Sequence, residues 1–250
     1  VDSIEILGVR VDDATYAELM DKVDAFIGSG KPHHVITVNV EMLIAAYDDP
    51  EFAAVLADGD LNVADSVGVM LAARLLGRPL QERVTGSDGI HRLAAHSARK
   101  GYRPYLLGAA PGVAELAAQR LRATNPGLDV AGVYAGSPRA SEEDDIIRTI
   151  RAVSPDLLLV AYGVPAEEKW IARNRQRLGV PVMMGVGGAF DFAAGVTKRA
   201  PGWIRRLGLE WLYRLVREPW RWRRQLALPR FLSLVAKQKL GAITGRRRVG

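Results

Sequence analysis

Asp65 stands where an acid–base group is useful. It directly follows the apolar run LNVA, and Ser66 and Gly68 open a helical pattern after it. A carboxylate in that position can take the proton from an attacking hydroxyl, or it can cap the helix. Arg83, in QERVTGSDG, precedes a glycine turn, with Asp88 near a helix start. A guanidinium there suits a diphosphate or a surface ion pair. Thr37 and Asn39 leave the run ITV with side chains that hydrogen-bond a ligand or cap a helix. In YLLGAAPGVAELAA, Gly108 ends one pattern and Gly112 opens the next, so free backbone amides and a helix dipole face an anion or simply make a tight connection. Gly163 shapes the loop after DLLLVAY, and Glu167 and Glu168 fall in the next first turn, where the dipole favours carboxylates in any case. Tyr134 closes LDVAGVY, and the glycine-rich GVGGAFDF adds Gly187 and Asp191 as ligand contacts.

Several familiar chemistries lack their residues. A G-x-G-x-x-G beginning at Gly185 needs glycine at 190, where Phe190 stands, and the acidic ribose partner further on is missing. Asp58-Gly59-Asp60 matches a D-x-D metal pattern but precedes an apolar run, and Asp-Gly is a common turn. The four histidines have no ligand spacing, and no metal site is expected. With no cysteine, disulfides, thiolate metal sites and cysteine nucleophiles are excluded.

These residues need a scaffold that brings strand ends together. Apolar runs at 4–9, 34–38, 61–64, 103–108, 128–134, 156–162 and 181–186 read as strands. Helical patterns lie between them, as at 13–27, 112–124 and 142–153. Several runs are apolar throughout, which marks a sheet covered on both faces. Strand–helix alternation implies right-handed crossovers and a parallel sheet. The expected fold is α/β, Rossmann-like, over residues 1–200, with ligands beyond the carboxyl ends of the strands.

Residues 201–250 differ. Thirteen Lys/Arg face two Glu there, a net +11, so the overall +6 leaves −5 on the first two hundred residues. Trp203, Trp211, Trp220 and Trp222, four of the five tryptophans, lie in this segment, punctuated by Pro201, Pro219 and Pro229. Arg214, Arg217, Arg221 and Arg224 would share one helical face if the kink at Pro219 is mild. The expectation is a basic helical appendage that lies on an anionic membrane surface. No apolar run reaches the roughly 18 residues of a spanning helix, and VDSIEI is not a signal peptide, so the expected location is cytoplasmic, at the inner face of the membrane.

TVN at 37–39, VAD with Gly68, RVTGSD at 83–88, LLGAAPGVAE at 106–115, the Gly163–Trp170 loop, GVGGAFDF at 185–192 and RAPGW…GLEWLYRL…EP…RR from 199 to 224 occur in order along nearly the whole chain. Together they resemble the WecG/TagA/CpsF family of bacterial glycosyltransferases. The resemblance implies inverting, metal-independent transfer, without a cofactor, from a UDP-sugar. That donor would be UDP-N-acetylmannosamine or its uronic acid, UDP-glucose or UDP-glucuronate. It also implies an undecaprenyl-diphosphate-linked saccharide as acceptor, in teichoic acid, enterobacterial common antigen or exopolysaccharide synthesis. Asp65 then matches the general base, and Thr37 and Asn39 match pocket-lining groups. Arg83 and the tail arginines match diphosphate contacts, and self-association is implied as well. One residue departs from the pattern: Glu167 stands where the family's loop has glutamine. The added charge argues against a uronic-acid donor.

Two other classes stay open on the residues alone. One is a nicotinamide-dependent oxidoreductase on the same fold, which the broken fingerprint disfavours. The other is a nucleic-acid binder using the basic, aromatic tail, which the acidic body does not require. No nucleic-acid partner is expected.

Overall fold

The computed structural model describes residues 2–202, 204, 210–217 and 227–246. Eight strands form one sheet: β1 (Ser3–Ile6), β2 (Val9–Asp12), β3 (His33–Val38), β4 (Leu61–Ala64), β5 (Pro104–Gly108), β6 (Gly132–Tyr134), β7 (Leu157–Ala161) and β8 (Val182–Gly185). Their spatial order is β1-β2-β4-β3-β8-β7-β5-β6. β1 and β2 pair antiparallel, and the remaining neighbours pair parallel. The connecting helices are α1 (Tyr16–Ser29), α2 (Val40–Asp48), α3 (Pro50–Ala57), α4 (Val67–Leu75), α5 (Gly86–Lys100), α6 (Val113–Thr124), α7 (Glu143–Val153), α8 (Ala166–Leu178) and α9 (Ala189–Ala193). Two more described helices follow, α10 (Glu210–Arg217) and α11 (Ala227–Arg246).

The continuous apolar strands have the cause expected of them. Alternate residues of each strand enter opposite cores. Val35, Leu61, Val63, Leu157 and Leu159 pack under α1, α5, α6 and α9. Ile36, Val38 and Ala64 face α2, α3 and α4, and Leu158, Val160 and Met183 face α7 and α8. With water excluded from both faces, the few polar residues within the strands, such as Thr37 and Asn62, are buried and hydrogen-bonded, and the candidate site lies beyond the carboxyl ends of the strands.

Two sequence expectations are corrected. Residues 4–9 are not one strand but a hairpin with its turn inside that run. Leu7 (φ 52°) and Gly8 (φ 84°) both take left-handed backbone, as a two-residue mirror-type turn requires. Ile4, Ile6, Val9 and Val11 are all buried while Glu5 and Arg10 are exposed. The period-2 alternation holds within each strand and switches from even to odd positions across the turn, because Ile6 and Val9 pair directly. The run 128–134 forms a strand only at Gly132–Tyr134. Leu128 and Val130 are buried instead as irregular chain packed in the α6 core.

α11 is docked on the body. Phe231 and Val235 are buried in the same core as β1, β2 and α2. The Gln238 amide closes the contact at the hairpin: its Nε2 donates to Glu5 O (2.9 Å), and Leu7 N donates to its Oε1 (3.0 Å). Arg230 grips Asp48 with two bonds of 2.6 Å.

Candidate active site

The carboxyl ends of β3 and β4 open into a cleft of about 430 Å³. Its polar lining includes Asn39, Asp65, Arg83 and Glu210, and its apolar lining includes Val67, Leu71, Phe192, Trp211, Leu228 and Leu232. The fold assembles it from both ends of the chain. Asn39 caps α2, its Oδ1 accepting from Met42 N at 3.0 Å. Asp65 is held by its own amide, which donates to Val38 O at 2.8 Å. Val84 N then donates to Ala64 O (2.8 Å), which brings Arg83 alongside.

Asp65 is half-buried, with one side on the cleft and protein on the others. Burial raises its pKa most, the Arg83 charge and the Gly86 N–H bond pull it back, and the Glu210 and Asp88 charges raise it again. The outcome is a carboxyl pushed up to about 7, near the value best suited to a general base at neutral pH. The balance is testable because its parts have opposite signs. Arg83→Gln removes an attraction for the carboxylate and is expected to move the acid limb of kcat/KM upward. Glu210→Gln removes a repulsion and is expected to move it downward. pH profiles of the two variants shifting in the same direction would contradict this account of Asp65.

Sequence reasoning missed the partners that come from far away in the chain. Arg199 pairs with Asp88, lies 3.5 Å from Glu210 Oε1, and donates to Ser87 Oγ at 3.3 Å. It thereby ties the start of α5 to α10 over the cleft. Tyr16 fixes the α5 cap, its hydroxyl accepting from Thr85 N at 2.8 Å. No local spacing signals either contact.

The remaining sequence candidates spread along the same sheet edge. Thr37 is buried and donates to Gly185 O (3.2 Å), so it links β3 to β8 and is not in the cleft lining. Gly108 (φ 106°) is irreplaceable where it sits, since a Cβ would meet the Ala161 backbone at 2.7 Å. Gly112 (φ 83°) begins α6 with no side-chain cap. Tyr134 is 43% exposed at the end of β6. Asp191 lies in α9, beside Gly188. Arg214 lies in α10, and Arg217 closes that helix with its guanidinium 5.3 Å from the Tyr213 ring. Arg221, Arg224, Trp203, Trp220 and Trp222 lie outside the described residues. Asp58 and Asp60, the D-x-D pair, are engaged by Arg175 and by His33 and His34 at the opposite end of the sheet. Among the described residues no group of three acidic or histidine side chains could hold a metal ion.

Glu167 is almost wholly buried. Its Oε2 accepts from Gly163 N (2.9 Å) and Gly187 N (3.1 Å), joining the loops after β7 and β8. Burial and the neighbouring Glu168 push its carboxyl well above the usual range. Glu168, also buried, meets His34 Nε2 at 2.5 Å.

An α/β fold with a cleft carboxyl and an arginine beyond the strand ends is an arrangement suited to group transfer. The family model "Glycosyl transferase WecG/TagA/CpsF family" matches residues 4–244, and the chain belongs to this family; it is a glycosyltransferase. Membership decides for the transferase class against the oxidoreductase and the non-enzymatic binder. The chain is similar to the N-acetylglucosaminyldiphosphoundecaprenol N-acetyl-beta-D-mannosaminyltransferase of Bacillus spizizenii, with 34% identity over 86% of this chain and 82% of the relative. The enzyme of the same name from Bacillus subtilis strain 168 is 34% identical over 82% of this chain and 79% of its own length. That from Staphylococcus aureus strain MW2 is 29% identical over 94% of this chain and 93% of its own.

Proposed function

We propose that the chain transfers a hexose or N-acetylhexosamine from a UDP-sugar to an undecaprenyl-diphosphate-linked saccharide, with inversion and without a metal ion, in cell-wall polymer synthesis. N-acetylmannosamine is the donor sugar favoured by the relatives' names. The observation that carries the reading is Asp65, a cleft carboxyl held near neutrality beside Arg83. In a single displacement the acceptor oxygen bonds to the anomeric carbon as the bond from that carbon to the UDP oxygen breaks. The acceptor proton passes to Asp65 and UDP leaves with the electron pair. Arg83 and the uncapped start of α6 at Gly112 are suited to the phosphate charge. Thr37, Gly108, Gly163, Glu167 and Gly187 would act by shaping the donor side of the sheet edge, and Tyr134 and Asp191 by contacting the sugar.

Residues 201–250 form, in this reading, an appendage that places the cleft against the inner membrane face, with about 1 kcal/mol from each basic residue near an anionic surface. Among the described residues no helix is long and apolar enough to cross a membrane. Arg214, Arg217, Arg221 and Arg224 would reach the acceptor diphosphate, and self-association would cover or expose this segment.

The structure bears on the Glu167 departure. A carboxyl whose charge is suppressed by burial repels a uronic acid less than an exposed one would. The expected result for Glu167→Gln is an unchanged order of donor preference. A gain of uronic-acid transfer would show that the Glu167 charge reaches the donor. The reaction itself is tested with a panel of UDP-sugars and a polyprenyl-diphosphate-N-acetylglucosamine acceptor, with and without EDTA, reading the product's anomeric configuration. β-Linked product from UDP-α-N-acetylmannosamine that survives EDTA supports the reading. Absence of UDP binding would defeat it.

A further inference from the structure

Two helices that wall the cleft also carry apolar side chains into solvent. On α4, Val67, Leu71 and Leu75 are 38%, 45% and 40% exposed. They recur every fourth residue and so form one stripe, while Val69, Ala72 and Ala73 bury the other side of the helix. On α11, Leu228 and Leu232 make a second stripe at the same step, Leu232 being 37% exposed. The stripes run side by side because α4 and α11 pack at Gly68, where a Cβ would lie in ordinary contact range of Leu228 Cδ1 (3.8 Å) and Phe231 Cε1 (3.9 Å); what the glycine makes room for is Val40 of α2, whose Cγ2 would be 2.5 Å away.

Both stripes begin in the cleft, whose wall includes Val67, Leu71, Leu228 and Leu232. The α4 stripe then leaves it, with Leu75 one turn beyond. From Val67 to Leu75 the track is about 12 Å long. A polar floor of Asp65, Arg83 and Asn39 thus opens onto an apolar path that continues out of the site. Such a surface matches an amphiphile whose polar head reacts and whose tail must leave.

We propose that the α4–α11 track binds the first isoprene units of the acceptor's own polyprenyl chain and leads them out of the cleft past Leu71 to Leu75. The proposal rests on the acceptor reading above. Continuity decides the occupant, because the same side chains line the reacting cleft and the track.

The test uses the full chain without vesicles or detergent. Two acceptors carry the same saccharide-diphosphate head, one with a three-isoprene tail and one with a two-carbon alkyl group. Wild type is expected to favour the isoprenoid acceptor, mainly through KM. Leu75→Ser is expected to lose about tenfold in kcat/KM on the isoprenoid acceptor and nothing on the short one. Val216→Ser, a change at a 73% exposed residue of α10, is expected to alter neither. Equal losses on both acceptors for Leu75→Ser, no loss on either, or the same isoprenoid-selective loss for Val216→Ser would overturn the track. Failure of wild type to turn over either acceptor would instead defeat the acceptor reading, and the track with it.

Discussion

Asp65→Asn is expected to lower kcat/KM by about 10²–10⁴-fold, the usual contribution of a positioned base, and to make the protein more stable above neutral pH. The two effects share one cause. Asp65 shifts from its ordinary 3.8 to about 7 on folding, so the folded state binds its proton more tightly than the unfolded state. Below about 3.8 both states are protonated and the burial costs nothing extra. Between 3.8 and 7 the unfolded state ionises first, and stability falls as pH rises. Above 7 the whole penalty is present, about 4 kcal/mol at 1.36 kcal/mol per pKa unit. Asparagine has the same shape, keeps an acceptor for the Gly86 N–H and carries no charge. Its advantage should therefore be near zero at pH 3.5 and largest at pH 8. Urea melts of wild type and variant across that range check the sign, and a stability difference independent of pH would contradict it.

His34→Ala is expected to destabilise the fold by about 3–5 kcal/mol, the usual cost of removing one partner from a buried polar pair. Against a typical total of 5–15 kcal/mol this is a large share. His34 and Glu168 are 1% and 0% exposed in their side chains. Glu168 Oε1 has no hydrogen-bond partner among the described residues, so the His34 bond at 2.5 Å is the contact that compensates the buried carboxylate. The neighbouring Glu167 joins the loops after β7 and β8, so transfer activity should fall along with the melting temperature. His34→Gln, which keeps a donor amide, should recover part of both. Wild-type stability in His34→Ala would show that Glu168 finds another partner.

The parts of the site that were legible in the sequence are those the chain builds locally. LNVA followed at once by Asp65, and ITV by Asn39, place polar atoms at the ends of doubly covered strands, and the fold sets both in one cleft. Glu167 and Glu168 were legible as first-turn residues of α8, but not the direction of their carboxylates, because a dipole argument places charge without saying what else reaches it. Contacts closed by tertiary packing left no local trace. Arg199 reaches Asp88 across 111 residues and His34 reaches Glu168 across 134. The β1–β2 reversal was hidden for a different reason: Leu7 at the turn is itself apolar, so IEILGV reads as one run although burial switches from Ile4 and Ile6 to Val9 and Val11 across it. α11 was read as part of a basic tail because residues 201–250 as a whole carry a net +11, although the helix itself holds four Lys/Arg among its twenty residues; Phe231 and Val235, the residues that dock it, are few and four apart.

The claim on which the rest depends is that Asp65 takes the acceptor's proton. The pH dependence of kcat/KM for wild type, measured beside Asp65→Asn with the same donor and acceptor, tests it most directly. The expected profile for wild type rises with pH through about 7 and then levels, while the variant's residual rate lacks that limb. A variant that keeps near-wild-type turnover, or keeps the same limb, would show that another group is the base.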